Sequence, residues 1–347
     1  MNIVILGAGA MGSAFSFPCT DNGHEVTLVG SEFDDNIIAN LKDSRVHPTL
    51  KIAVSSNIKL KTQAEFNASN IVADILVVAV SSHGVDWVID VAKFFPDIPV
   101  VILTKGFSFN DGYCEVFAAK FAKTFIANGF SVDNICAVAG PCLASGLANR
   151  VHTSVVLASY STKVAKHLCT ILSTDYYHIS HSDDIVGVEI CSAIKNIFAI
   201  ALGATITMYS DSDVLNHNEK NYLNSAATVL QQSLYEMSYF VSKYGGKEST
   251  VYTLAGYGDL YVSDQGGRNS LLGTYFGKGH KYSEIKKDLM PNVTVEGAEL
   301  AHLLVDLCLI GDDRVHIPLL CSVVEAINSD SVLEIPWHDF NNRSIAK

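Results

Sequence analysis

Two lysines, an aspartate and an Arg-Asn pair are the residues of this sequence best suited to chemistry. Lys195 lies in Ile190-Cys191-Ser192-Ala193-Ile194-Lys195-Asn196-Ile197-Phe198, a helical segment apolar on nearly every face. A lysine there is partly desolvated, which lowers its pKa toward the range useful for proton transfer. Asn196 beside it is suited to hold a substrate hydroxyl or a neighbouring backbone group. The alternative is a lysine that snorkels to the helix surface. Lys105, in Leu103-Thr104-Lys105-Gly106, directly follows a buried strand, where ligand contacts concentrate; a solvated loop lysine is the alternative. Asp259 sits in Gly256-Tyr257-Gly258-Asp259-Leu260, where it either meets a ligand or caps the turn. Gly266-Gly267-Arg268-Asn269-Ser270 precedes a helix and brings an arginine, free amides and a helix dipole to one place. That is a seat for phosphate, or else a surface arginine at a helix start. Glu296, in Val295-Glu296-Gly297, carries little signal of its own.

The N-terminus supplies a nucleotide site. Ile3 to Leu6 is a short apolar run suited to a strand buried on both faces. It leads into Gly7-Ala8-Gly9-Ala10-Met11-Gly12 and then Ser13-Ala14-Phe15, which can open a helix. Gly7 allows the tight turn, Gly9 lets the backbone approach a pyrophosphate, and Gly12 lets helix and strand pack closely. Free amides at the helix start, those of Ala10 and Met11 among them, then hold the diphosphate. A second strand, Glu25 to Val29, follows on schedule. Glu32 lies beyond it, where an acidic side chain accepts hydrogen bonds from the adenosine ribose. This acid would repel a 2′-phosphate, so NAD is expected as the cofactor, with NADP possible through the hydroxyl and amides of Gly30-Ser31.

These residues need a sheet and a helical partner. Ile75 to Val80, Pro99 to Leu103, Ile135 to Ala139, Thr153 to Ala158 and Tyr176 to Ile179 read as further strands. Their unalternating Val/Ile/Leu runs suit an α/β doubly wound, mainly parallel sheet covered on both sides. Ligands in such a sheet lie beyond the strands' carboxyl ends, which singles out Ser81, Ser82, Lys105, Gly140 and Cys142. Between the second and third runs, 34–61 reads as a helix with an excursion around His47-Pro48. From Asp183 the pattern turns helical: Ile185–Thr207, Ser225–Tyr244, Ser270–Phe276, Val295–Leu309 and Pro318–Asn328. The expected organisation is a Rossmann domain over 1–182 and a helical substrate-binding and catalytic domain over 183–347, with a cleft between them.

Composition narrows the function. The chain has 347 residues, 48% hydrophobic and 17% charged, which suits two globular domains. A net charge of −12 argues against nucleic acid or an anionic membrane as partner. Ile185–Met208 is apolar enough to be considered as a span, but Glu189, Lys195 and Asn196 interrupt it, and a buried core helix is expected. The eight cysteines form no CxxC pair and mostly fall in apolar runs, as reduced cysteines do in cytosolic proteins. The first strand opens the chain, leaving no room for a signal peptide, so a cytoplasmic protein is expected. The histidines show no HxH or HExxH spacing, so no metal is expected, and no GxSxG elbow appears.

Taken together, the motifs resemble those of NAD(P)-dependent glycerol-3-phosphate dehydrogenases nearly to the C-terminus. After the glycine loop come Ala79-Val80-Ser81-Ser82, Thr104-Lys105-Gly106, Ala139-Gly140-Pro141 and Ala193-Ile194-Lys195-Asn196. Ala255-Gly256-Tyr257-Gly258-Asp259-Leu260, Arg268-Asn269 and Val295-Glu296-Gly297 follow in the family's order. The resemblance implies interconversion of dihydroxyacetone phosphate and sn-glycerol 3-phosphate, a 6-phosphogluconate-dehydrogenase-like C-terminal domain and a role in phospholipid biosynthesis; a homodimer is expected only as the commonest symmetric assembly. It implies Lys195 as general acid or base and Lys105, Asn196 and Asp259 orienting the substrate. Arg268 and Asn269 would hold its phosphate, Gly140 would line its pocket, and Ala144 and Glu296 would lie near the cofactor together with Ser81, Lys105 and Arg268. The sequence departs from the family at Cys142, where Ser or Asn is usual, at Gly267, where Ser is frequent, and in a longer, more polar stretch from Met208 to Tyr222. Two other readings remain: a reductase of the same architecture acting on a ketoacid such as ketopantoate, and a non-catalytic dinucleotide-binding sensor.

Overall fold

The computed structural model describes residues 1–95, 97–110, 112–208, 222–309 and 312–342. Most of the stretch from Met208 to Tyr222 therefore lies outside the described residues. The chain divides into two compact units. One comprises Met1–Phe107 and Glu115–Glu189, the other Ser108–Cys114 and Ile190–Lys347.

The first unit is built on an eight-stranded sheet. Its strands are β1 (Asn2–Leu6), β2 (Glu25–Val29), β3 (Lys59–Lys61), β4 (Ile75–Val78) and β5 (Val100–Ile102), and later β8 (Ile135–Ala139), β9 (Thr153–Ser159) and β10 (Tyr177–Ser182). The spatial order is β10-β9-β8-β5-β4-β1-β2-β3. β1 lies between β2 and β4, so the connections reverse direction beside it, where an open α/β sheet binds its ligand. Neighbours are parallel except β8 and β9, which run antiparallel. Between those two the chain forms only a five-residue helix, Ala144–Ala148, and returns from the same end of the sheet. Apolar side chains cover both faces: on one, Ile3, Ile5, Val26, Leu28, Ile75, Val77, Val101 and Cys136 belong to a continuous core with Phe15 and Leu168, and on the other Val4, Leu6, Leu76, Val78, Val100 and Ile102 are buried.

Two further strands fall outside that sheet. β6 (Phe107–Asn110) and β7 (Tyr113–Val116) pair with each other, and most of this hairpin belongs to the second unit. There the Phe109 ring meets Tyr244 edge-on at 6.0 Å.

The second unit is helical. Helix Ile185–Thr207 is, among the described residues, the one helix long and apolar enough to cross a membrane, but 89% of its most apolar window is buried inside the protein. It packs backbone to backbone on helix Arg268–Gly277, so closely that a Cβ on Gly273 would lie 2.0 Å from the Ile200 carbonyl oxygen. Helix Tyr222–Lys243 presents Glu236, fully buried, to helix Pro318–Asn328. The Glu236 carboxylate accepts the amides of Leu319 and Leu320 at 2.8 and 2.7 Å, satisfying donors that a helix start leaves open. The run expected over Val295–Leu309 is two helices, Glu296–Leu303 and Val305–Leu309, broken at Leu304 with ψ near 8°.

Candidate active site

The residues singled out by the sequence fall into two groups, one within each unit. In the first, β1 ends at Leu6 and helix Ala10–Asp21 begins four residues later, capped by Gly9 with no side-chain acceptor. Gly7 has φ +109°, and a Cβ on it would lie 2.4 Å from the Ala79 carbonyl oxygen. A Cβ on Gly12 would lie 2.0 Å from the Gly7 oxygen, whereas one on Gly9 would meet nothing within 4 Å. The outer two glycines are therefore required by the protein's own packing, while the middle one faces open space. Beyond it the amides of Ala10 and Met11 open the helix, where no intrahelical carbonyl reaches them. This cradle suits a diphosphate, and the fit comes from backbone.

β4, β5 and β8 continue the same parallel block as β1, so the residues after them share one edge of the sheet. Ser81, exposed, follows β4; Lys105, half-buried, follows β5; Gly140, at φ +144°, follows β8, with Ala144 opening the next short helix. Thr104 ties two of these ends together by donating to the Val80 carbonyl at 2.8 Å. β4 ends at Val78, two residues before the apolar run does, and the chain bends at Val80.

Glu32 is exposed beyond β2 and lines a recess of about 290 Å³ with Asp35, Thr62, Gln63, Ala64 and Asn67. The acid bonded to the glycine loop is a different one. Asp34 Oδ2 accepts the Ala8 amide at 3.1 Å and both the amide and the hydroxyl of Ser31, at 2.9 and 2.8 Å. The Ser31 groups considered as a phosphate seat are thus already engaged by a carboxylate.

In the second unit, Lys195 is 3% exposed, which removes the snorkelling alternative. Its Nζ bonds the Asp259 carboxylate and donates to Ser263 Oγ at 2.8 Å. Asp259, equally buried, opens helix Asp259–Asp264 directly after a π-helical turn, Leu254–Gly258. Such turns concentrate at functional sites because the inserted residue redirects the side chains that follow. Ser263 is not among the residues singled out by motif, but it stands four after Asp259 on the same helix face, a spacing legible in the sequence. The Lys195 and Asp259 side chains meet where water is excluded, so their attraction is stronger than that of an exposed pair.

Asn196 continues the site on the other side. It accepts from Asn269 Nδ2 at 3.0 Å, and Asn269 Oδ1 in turn accepts the Gly297 amide at 2.9 Å. A side chain on Gly297 would press within 2.6 Å of the Asn196 carbonyl oxygen, which explains the glycine after Glu296. Arg268, exposed at the start of its helix, is ion-paired with the half-exposed Glu296. Lys195, Asn196, Asp259, Arg268, Asn269 and Glu296 are therefore joined by buried lysine chemistry at one end and an accessible arginine at the other. Among the described residues, no three His, Cys, Asp or Glu side chains come together as metal ligands, and the eight cysteines are all free.

Comparison with known proteins finds matches to both halves of the chain. The N-terminal family of NAD-dependent glycerol-3-phosphate dehydrogenase matches residues 2–165, and the corresponding C-terminal family matches residues 184–334. The NADP(+)-dependent glycerol-3-phosphate dehydrogenase of Archaeoglobus fulgidus is 33% identical over 83% of this chain and 84% of its own. The NAD(P)+ enzyme of Mesoplasma florum is 28% identical over 87% and 86%. The crystal structure of glycerol-3-phosphate dehydrogenase from Coxiella burnetii superposes with a TM-score of 0.76 at 25% identity, over 98% of this chain and 97% of that one. With both halves matched in order, the chain belongs to the NAD(P)-dependent glycerol-3-phosphate dehydrogenase family, oxidoreductases built from a Rossmann domain and a helical C-terminal domain.

Proposed function

We propose that the chain reduces dihydroxyacetone phosphate to sn-glycerol 3-phosphate with Lys195 as its general acid. The observation that carries this reading is the buried contact of Lys195 with Asp259 and Ser263, one residue away from the Asn196–Asn269 link. Bound NAD(P)H supplies the hydride that adds to the carbonyl carbon. As the carbonyl π pair moves onto oxygen, Lys195 delivers a proton from Nζ to that oxygen; in the oxidation direction the neutral amine takes it back. Asp259 and Ser263 fix the direction in which Nζ points. Arg268 and Asn269 bind the phosphate, Arg268 exchanging Glu296 for the phosphate oxygens, and a planar fork suits that anion better than a point charge. Lys105 and Asn196 orient the three-carbon chain, Gly140 lines its pocket, and Ser81, Ala144 and Glu296 lie near the cofactor. The reading extends to a cytoplasmic enzyme acting as a homodimer, the commonest symmetric assembly.

On the cofactor, Glu32 and Asp35 line one recess beyond β2 and would repel a 2′-phosphate brought there, and Ser31 is engaged by Asp34. These carboxylates favour NADH, although the Archaeoglobus relative is named for NADP. The test follows loss of reduced nicotinamide absorbance with dihydroxyacetone phosphate, unphosphorylated dihydroxyacetone and ketopantoate, each with NADH and NADPH. Turnover confined to the phosphate ester and faster with NADH is expected. Turnover of ketopantoate alone would replace this reading with a ketoacid reductase. Silence with cofactor still bound would make the chain a dinucleotide sensor, and faster turnover with NADPH would overturn the cofactor preference.

A further inference from the structure

Ala8, between the first two glycines of the loop, has both of its backbone groups held by side chains that come from beyond β2. Its N–H donates to Asp34 Oδ2 at 3.1 Å, and its carbonyl accepts from Ser13 Oγ at 3.0 Å and lies 3.1 Å from His47 Nε2. The tautomer of His47 follows from its other nitrogen. The amides of Thr49 and Leu50 both donate to Nδ1, each at 3.1 Å, so Nδ1 carries no hydrogen and Nε2–H is the donor to Ala8. His47 is fully buried, and burial pulls its imidazole below the ordinary value, in keeping with a neutral ring. Its bond to Ala8 is therefore not shared with water and is stronger than an exposed one. Directly after this clamped residue comes Gly9, the one position of the loop where an added Cβ would meet open space.

We propose that Asp34 and His47 are positioning residues for the dinucleotide. By fixing the N–H and the carbonyl of Ala8 they hold the loop in its ligand-ready shape, so that ordering it costs nothing at the moment of binding. The proposal rests on the reading of Gly7 to Gly12 as the diphosphate seat, and the two can fail separately.

The experiment measures the dissociation constant of NADH by fluorescence, together with Tm without cofactor and the KM of each substrate. Gly9→Val tests the seat itself: if it leaves NADH affinity unchanged, the diphosphate lies elsewhere and the reading falls first. With the seat established, Asp34→Ala should weaken NADH about tenfold while the KM for dihydroxyacetone phosphate stays within about twofold, and Asp34→Asn should recover most of the affinity. For His47, two substitutions separate its bonds. Gln keeps a donor near the Nε2 position for Ala8, and Asn keeps an acceptor near Nδ1 for the Thr49–Leu50 turn. His47→Gln should therefore bind NADH more tightly than His47→Asn, even where the Asn variant has the higher Tm. NADH affinity within twofold of wild type in Asp34→Ala, or His47→Asn binding as well as His47→Gln, would reduce these residues to structural roles and overturn the proposal.

Discussion

The two groups of candidate residues, one in each unit, are built from different material. In the first unit the ligand seat is backbone: Gly7 and Gly12 are pressed against Ala79 and each other, and the functional groups are amides. In the second unit it is side chain: Lys195, Asp259 and Ser263 at one end, Asn196 and Asn269 in the middle, Arg268 and Glu296 at the other. A backbone seat tolerates change in every side chain that faces away from it and fails only where a Cβ intrudes. A side-chain seat concentrates its function in a few atoms, so single substitutions strike harder there.

The largest effect is expected at Lys195. Lys195→Ala should lower kcat by about two to four orders of magnitude, the usual weight of a general acid, and leave NADH affinity within a few-fold. Single-turnover kinetics with a fluorescence measurement of NADH binding checks both at once. The same variant strands the buried Asp259 carboxylate, so Tm should fall as well, and Lys195→Ala with Asp259→Asn should recover Tm without recovering kcat. Retained turnover in a folded Lys195→Ala enzyme would make the lysine structural.

Next in size is the backbone counterpart. Gly9→Val has room in the protein and a φ of −61° open to any residue, so Tm should stay within about a degree or two while the KM for NADH rises at least tenfold. A fall in Tm without loss of cofactor affinity would mean that the open space is not the ligand's. A smaller change is expected for Arg268→Lys, which keeps charge and loses the fork. The KM for dihydroxyacetone phosphate should rise about tenfold, and any trace of turnover seen with unphosphorylated dihydroxyacetone should not change. An equal effect on both substrates would take the phosphate away from Arg268.

The last prediction concerns stability and leaves catalysis untouched. Burial pushes the Glu189 carboxyl from an ordinary 4.5 to about 8 in the folded protein, against a partly compensating bond from the Ala118 amide at 2.9 Å. Between those two values the native state keeps a proton that the unfolded chain has released, so stability falls as pH rises from about 4.5 to about 8 and levels off above. Glu189→Gln keeps an acceptor for Ala118 and removes the titration. Its Tm should be flatter across that window, and a parallel Tm–pH curve in the two proteins would show that Glu189 does not titrate there.

Local signals account for what the sequence made legible. β8 and the helices Ile185–Thr207 and Pro318–Asn328 have the bounds their apolar patterns predict, because pattern and burial coincide there. The hairpin of β6 and β7 is a miss with a readable cause: alternating Phe107, Phe109, Cys114 and Val116 flank an Asp111-Gly112 turn signal. β10 runs on past Ile179 to Ser182 through Ser180 and His181, polar residues with which an apolar run ends. Asp34 and His47 could not be read at all. Their partner is a peptide 26 and 39 residues away, and nothing local announces it. Glu32 has the textual position of a ribose acid, while the carboxylate bonded to the loop comes two residues later.

Helix Ile185–Thr207 also has a consequence for biogenesis. It leaves the ribosome before helix Arg268–Gly277, whose backbone packs directly on Ile200 and Ala204. During that interval the nascent chain displays a segment with a mean hydropathy of 1.8, indistinguishable by composition from a membrane span. Chaperone engagement, and aggregation when synthesis outruns it, should therefore peak once this segment is out and subside as the covering helix follows.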